Sequence, residues 1–322
     1  MRPMIARLLA AALCGFPLAL HAQAQAYPNK AVRIVAPFPA GGSADLIPRV
    51  IGEQLSLKWG HPVIVENRAG AAGNIGAEYV FKAEPDGYTL LSSPPPPLII
   101  NPNLYRNLAF DPTQFVPIGI MVAIPNVVLV NPKVPVNSIG ELIAYAKANP
   151  DRLNYASQGS GTTSHLTGEM FKSMAGVRLT HIPYKGSAPA LTDLLAGQVE
   201  MMFDNLGVSR QHVVSGKLKL LAVCSEKRVA SLPDVPALAE ILPGFEAVAW
   251  FGIVAPPKTP MPIAEQISAA VAEVLKLPEV RKRLVDLSAE AIGNTPAQMA
   301  AFMKKDAERW REVIRSVGVK AD

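Results

Sequence analysis

The sequence predicts an α/β protein of two lobes, each built on a parallel-rich sheet with helices on both faces. Three observations carry this expectation. Short β-branched runs alternate with segments of helical period from Val32 onward, the pattern of parallel sheets. A strand running into a Gly-rich loop and then a helix occurs twice, at residues 32–57 and again at 155–174. The chain has 322 residues, more than one hydrophobic core usually serves.

The first strand is read at residues 32–35. The loop Pro37-Phe38-Pro39-Ala40-Gly41-Gly42-Ser43-Ala44-Asp45 follows, and Leu46, Ile47, Val50, Ile51 and Leu55 then recur on one helical face. The Gly pair lets the backbone approach a ligand with no Cβ in the way. A helix start adds unpaired N–H groups and the positive end of a dipole, so such a loop can hold a small anion without a charged side chain. A strand at 63–66, a helix at 74–83 and a strand at 88–91 come next. Pro94 to Pro97 follow Ser92 and Ser93; without N–H groups they form a stiff apolar wall and not an amide cradle.

The apolar stretch at 116–130 contains Pro117, Pro125 and Asn126 and reads as a strand, a crossing and a second strand. Helices at 138–149, 163–175 and 187–196 alternate with strands at 154–156, 179–182, 199–203 and 218–223. The second Gly/Ser loop, Ser157 to Ser164, precedes a helix carrying Leu166, Met170 and Met174. Two such loops suit a cleft between lobes, because ligands of open parallel sheets sit beyond the carboxyl ends of the strands. The last third reads as a strand at 250–254 and helices at 262–276, 278–286 and 295–317, which are expected to return to the first lobe. Crossings between lobes are expected at 117–126 and 247–251.

The first 26 residues read as a secretory leader. Arg2 and Arg7 precede an apolar run at 8–20, and Ala22-Gln23-Ala24 and Ala24-Gln25-Ala26 both fit a cleavage site. The run is too short for a stable membrane span. Beyond the leader one cysteine remains, Cys224, so no internal disulfide forms. Removing Arg2 and Arg7 lowers the excess of Lys and Arg over Asp and Glu from 5 to 3. That mild, scattered bias permits an anionic ligand and does not argue for nucleic acid.

The glycines of Gly70-Ala71-Ala72-Gly73-Asn74-Ile75-Gly76 do not have dinucleotide-fold spacing, and no phosphate-loop motif exists. A hydrolase is the enzyme alternative, but Tyr155-Ala156-Ser157-Gln158-Gly159 lacks the first Gly of a nucleophile elbow. His165 and Glu169, four apart on a helix, read as a surface pair and not a metal site.

Pro37 to Gly42 with Asp45 and Arg49, Val65 to Gly76, and Pro85-Asp86-Gly87-Tyr88-Thr89-Leu90 stand in the first lobe. In the second stand His181-Ile182-Pro183-Tyr184-Lys185-Gly186, Leu194 to Val199, Met202-Phe203-Asp204-Asn205 and Leu232 to Pro236. Together these segments resemble the Bug-type solute-binding proteins of tripartite tricarboxylate transporters. The resemblance implies a two-lobed periplasmic binding protein of the Venus-flytrap, type II-like kind, without cofactor, metal or catalysis. It implies a monomer that captures a small carboxylate and delivers it to membrane permease subunits; a sensor presenting the closed form to a signalling partner is the alternative. The implied lobes are 27–124 with 248–322, and 125–247. The implied ligand contacts are Phe38, Ala40, Gly41, Gly42, Ser43, Asp45 and Ser92 from the first lobe. From the second they are Ser157, Gly159, Thr162, Thr163, Ser164, Tyr184 and Asp204. Relatives commonly carry Ala where Pro48 stands. A proline is accepted only in a first helical turn, so the helix is expected to begin near Asp45, with Asp45 as N-cap. An apolar wall at 94–98 favours a carboxylate with an apolar or aromatic body over citrate or an amino acid.

Overall fold

The computed structural model describes residues 27–230 and 232–320, so the leader expected at 1–26 lies outside the described residues. Strand β1 (Val32–Ala36) buries Val32, Ile34, Val35 and Ala36 completely. After β1 come α1 (Ser43–Trp59), β2 (Val63–Asn67), α2 (Asn74–Phe81) and β3 (Thr89–Ser93). β1 lies between β2 and β3, parallel to both. Ile47, Val50, Ile51 and Leu55 form the buried face of α1. Helix α1 starts at Ser43, two residues before the expected start, and its N-cap is Gly42. Pro48 is therefore its sixth residue, past the first turn, and has no N–H to give the carbonyl of Ala44.

The proline run does not end as a loop. It turns into a single π-helical turn, Pro96–Ile100, with all five residues buried. Proline suits the start of such a turn, where an N–H would have no partner.

Strand β4 (Val116–Val130) is one continuous strand of 15 residues, not two strands and a crossing. Its pairing is irregular between Pro117 and Gly119 and between Ile120 and Val122, which lets it bend and carry prolines. It ends in the second sheet, followed by α3 (Ile139–Ala148), β5 (Asn154–Ser157), α4 (Thr163–Ala175) and β6 (Thr180–Pro183). Next are α5 (Ser187–Ala196), β7 (Met201–Asn205), α6 (Leu206–Val214) and β8 (Lys219–Val223). β5 is parallel to β6 and β7, and the end of β4 is antiparallel to β7 and β8. Helix α6 was not expected: it buries only Leu206 and Ser209, too little for a periodic signal.

Strand β9 (Val248–Ala255) returns to the first sheet between β3 and β4, antiparallel to both. It is followed by α7 (Met261–Val274), α8 (Pro278–Asp286), the short β10 (Glu290–Ala291) against β4, and α9 (Pro296–Val317). α7 and α8 pack on α1 as expected of a returning tail, but α9 touches both lobes, lying against β4, the 96–100 turn and α4. The reason is its apolar stripe. Met299, Trp310 and Ile314 belong to a cluster that also holds Leu91 and Leu98 of the first lobe and Tyr155, Phe171 and Phe203 of the second.

The chain passes between the sheets where β4 exchanges β9 for β7, at Pro125 and Asn126. Three backbone bonds tie this point to the return strand: Asn126 N to Ala247 O (3.0 Å), Cys224 N to Asn126 O (2.7 Å) and Ala247 N to Cys224 O (2.7 Å). The buried Asn126 side chain donates to Thr167 Oγ1 at 2.7 Å and accepts from Asn205 Nδ2 at 2.9 Å. Among the described residues no helix is long and apolar enough to cross a membrane.

Two substitutions test this packing. A Cβ on Gly168 would lie 2.6 Å from Cζ and 2.9 Å from Cδ2 of Tyr155, whose ring is buried and whose hydroxyl donates to Glu169 at 2.6 Å. Gly168→Ala is expected to destabilise by about 1–3 kcal/mol in urea denaturation although Ala is the better helix former. The indole N–H of Trp250 donates to Asp306 Oδ2 at 2.8 Å and fastens β9 to α9. Asp306→Ala leaves that buried N–H unpaired and is expected to cost about 1–3 kcal/mol in the same assay.

Candidate functional site

A cavity lies between the lobes. Phe38, Pro39, Gly42, Ser43, Ala44, Pro94, Pro96 and Phe251 line it from the first sheet's side, and Gln158, Thr163, Gly186, Ser187 and Asn205 from the second's. Its volume is about 20 Å³, room for about one water molecule. The lobes are closed on each other: a Cβ on Gly42 would be 3.7 Å from Ser187 Oγ, and one on Gly186 would be 3.4 Å from the Pro39 ring.

Four helices begin at this cavity. α1 contributes Gly42, Ser43 and Ala44, α4 contributes Thr163, α5 contributes Gly186 and Ser187, and α6 contributes its N-cap Asn205. The amides of a first helical turn have no partner within the helix, and the dipole gives that end positive potential. None of the lining residues is Lys or Arg, so an anion here would be held by backbone N–H groups, hydroxyls and amide side chains. Ser43 Oγ is buried without a partner among the described residues. The remaining walls, Phe38, Pro39, Pro94, Pro96 and Phe251, are apolar.

Asp204 stands behind the polar side. It is fully buried, and its Oδ1 accepts from Gln158 Nε2 (2.5 Å), Asn205 N (2.7 Å) and Ser187 Oγ (3.0 Å). It thereby orients three residues that line the cavity. Its Oδ2 has no partner among the described residues. Burial pushes the carboxyl pKa up to about 6 against the pull of those three hydrogen bonds.

The other residues named from sequence fall into different places. Phe38, Gly42, Ser43 and Thr163 line the cavity; Ala40 and Gly41 are exposed on its outer side. Asp45 is not the N-cap: it is the third residue of α1, and its buried carboxylate accepts from Gly41 N (3.0 Å), Arg49 Nε (2.8 Å) and Asn67 Nδ2 (2.8 Å). Burial alone would raise its pKa, but these bonds outweigh burial and hold it below its usual value. Asp45 therefore braces the loop and does not face the cavity. Ser92 is buried in β3. Ser157, Gly159, Thr162 and Ser164 bond within their own loop: Gly159 N donates to Ser157 Oγ (3.1 Å), Thr162 Oγ1 to Gly159 O (2.7 Å), and Gln158 N to Ser164 Oγ (2.9 Å). Tyr184 is turned away, donating to Asp193 Oδ2 at 2.7 Å.

Two stacked histidines brace this second loop from below. His165 and His181 have ring centroids 3.9 Å apart; His181 Nε2 lies 2.6 Å from Ser157 Oγ, and His165 Nδ1 accepts from Gly161 N at 3.1 Å. Burial lowers their pKa values to about 4 for His165 and about 3 for His181, so both are neutral. The pair read for His165 and Glu169 forms, with Nε2 4.0 Å from Oε1, but it is not at the surface: His165 is buried, and Glu169 also bonds Tyr155 and Lys172.

Sequence reading missed Ala44, Gln158, Gly186, Ser187, Asn205 and Phe251. Gly186-Ser187 had a signal, since strand, Gly, Ser and helix repeat the grammar of Gly42-Ser43. Phe251 had none, because nothing local distinguishes it within a buried strand.

Comparison with known proteins agrees with this geometry. A family model described as the tripartite tricarboxylate transporter family receptor matches residues 47–319. The protein BugT of Bordetella pertussis is 36% identical over 306 residues, covering 94% of each chain. The structure of Rpa4515 from R. palustris with adipate is 37% identical, covers 91% of this chain and 99% of its own, and superposes with a TM-score of 0.89. MatC from Rhodopseudomonas palustris with bound malate is 32% identical, covers 89% and 100%, and superposes with a TM-score of 0.84. With a receptor model spanning most of its length and relatives alike from end to end, this two-lobed α/β chain belongs to the Bug-type receptors of the tripartite tricarboxylate transporter family.

Proposed function

We propose that the cleft selects a carboxylate with an apolar body and that the closed form hands it to the permease subunits of a tripartite transporter. As a receptor the chain is not an enzyme, so the hydrolase alternative is set aside. The leader at 1–26 would deliver it to the periplasm. One observation carries the ligand reading: four helix N-termini meet at a cavity whose lining has no Lys or Arg and whose other walls are aromatic and proline rings. The amides suit a carboxylate. The rings reward buried carbon at about 25 cal/mol per Å² and leave a hydroxyl facing them without a partner.

Calorimetric titration of adipate, benzoate, citrate and aspartate tests the selection. Adipate or benzoate is expected to bind at least about tenfold tighter than citrate or aspartate, a difference of about 1.4 kcal/mol. Binding of citrate or aspartate with neither apolar acid would refute it.

Asp204 gives a second test, independent of ligand. Its carboxyl titrates near 3.8 unfolded and about 6 folded, so the folded state binds the extra proton. Stability from this group is present at low pH and lost as pH rises between those values, by about 3 kcal/mol at most. Asp204→Asn keeps an acceptor and removes the titration. Relative to wild type, the variant is expected to be more stable by a larger margin at pH 7 than at pH 4 in urea denaturation. An equal difference at both pH values would contradict the assignment.

A further inference from the structure

The closed form brings the start of α6 against the end of α8, across the gap between lobes. Gly207 is the second residue of α6, and Leu287 is the residue that caps α8. A Cβ on Gly207 would overlap the carbonyl oxygen of Leu287 and lie 2.9 Å from its carbonyl carbon and 3.1 Å from its Cα. These are backbone atoms, which cannot swing aside as the tip of a side chain can. They are also held: Leu287 N donates to Arg283 O at 3.1 Å, Ala289 N donates to Leu284 O at 2.8 Å, and β10 then pairs with β4.

Nothing within α6 requires this glycine. Gly207 is not among the glycines of positive φ, and alanine is the better helix former. The obstructing atoms belong to the other lobe. Gly207 does not line the ligand cavity; it lies in the outer groove with Gly41, Leu46 and Asp286.

We infer that Gly207 sets how far the two lobes can close and, through closure, sets the affinity for carboxylate without touching it. The affinity part rests on the receptor reading above; the closure part does not. A ligand that needs contacts from both lobes binds with an apparent Kd equal to its intrinsic Kd divided by the closed fraction. A side chain at 207 lowers that fraction and raises the apparent Kd by up to the same factor.

Closure can be read without any ligand. The Cβ positions of Gly42 and Ser187 are 4.0 Å apart across the cleft, within disulfide range. Gly42→Cys with Ser187→Cys, purified reduced and exposed to oxidised glutathione, forms its cross-link only from the closed form; the native Cys224 is buried. Adding Gly207→Ala is expected to slow cross-linking at least about tenfold, with the melting temperature of the reduced protein unchanged within about 2 °C. Adding Gly140→Ala, a helical glycine whose nearest neighbour is Ser138 Oγ at 3.9 Å, should leave the rate unchanged. Cross-linking of Gly207→Ala at the parental rate would overturn the inference. So would slow cross-linking accompanied by a lowered melting temperature, which would mean that Gly207 serves the fold of its own lobe. Adipate needs more room than the one-water cavity of this form, so when titrated into Gly207→Ala alone it is expected to bind more weakly by at most the factor seen in cross-linking. If the wild type binds none of the carboxylates, the receptor reading fails, and the cross-linking ratio still decides the closure.

Discussion

The starts of four helices, α1, α4, α5 and α6, line one cavity between two sheets. Each helix start contributes a partial positive charge that falls off within its first turn. Those turns converge although they belong to two different lobes. The parallel order of β1, β2 and β3 and of β5, β6 and β7 makes this convergence possible, since parallel strands feed helix starts to a common sheet edge. Residues that look functional from sequence but do not line the cavity serve the same end. Asp45 pulls the Gly41 amide and Asn67 into register, Asp204 gathers Gln158, Ser187 and Asn205, and the stacked His165 and His181 hold both ends of the Ser157–Gly161 turn.

Convergence between lobes needs a joint that bends at a fixed place. β4 supplies it by running through both sheets, and the Asn126–Cys224–Ala247 bonds mark where the partners change. α9 straddles the lobes on the far side, held by the Trp250–Asp306 bond. On the near side the lobes meet on small surfaces: Gly42 on Ser187, Gly186 on Pro39, Gly207 on Leu287. Only at Gly207, where a Cβ would run into the Leu287 backbone, does the contact leave no room for a side chain.

Much of this was legible in local pattern. The loop from Pro37 to Ser43 and the period of Ile47, Val50, Ile51 and Leu55 locate β1, α1 and one of the turns that line the cavity. The second turn before α4 was equally plain, and its helix runs as read, Thr163–Ala175. What failed to show has physical reasons. Two prolines suggested a break in the 116–130 stretch, but bulges and pairing on both sides carried the strand through. Proline at 48 predicts a helix start near Asp45, but the tertiary packing of α1 tolerates one missing bond. Asp204 is a ligand contact only as the family resemblance implies it. The structure sets it one layer back, a relation between three loops that no local pattern encodes.

The proposal that backbone amides of helix starts hold the ligand carboxylate can be read most directly from amide resonances of ¹⁵N-labelled protein as adipate is added. The largest shifts are expected on Ser43, Ala44, Thr163, Ser187 and Leu206, the first amides of the four helices. Shifts confined to other surfaces, such as the groove between α9 and the 96–103 segment, with these amides unmoved at saturation, would contradict it.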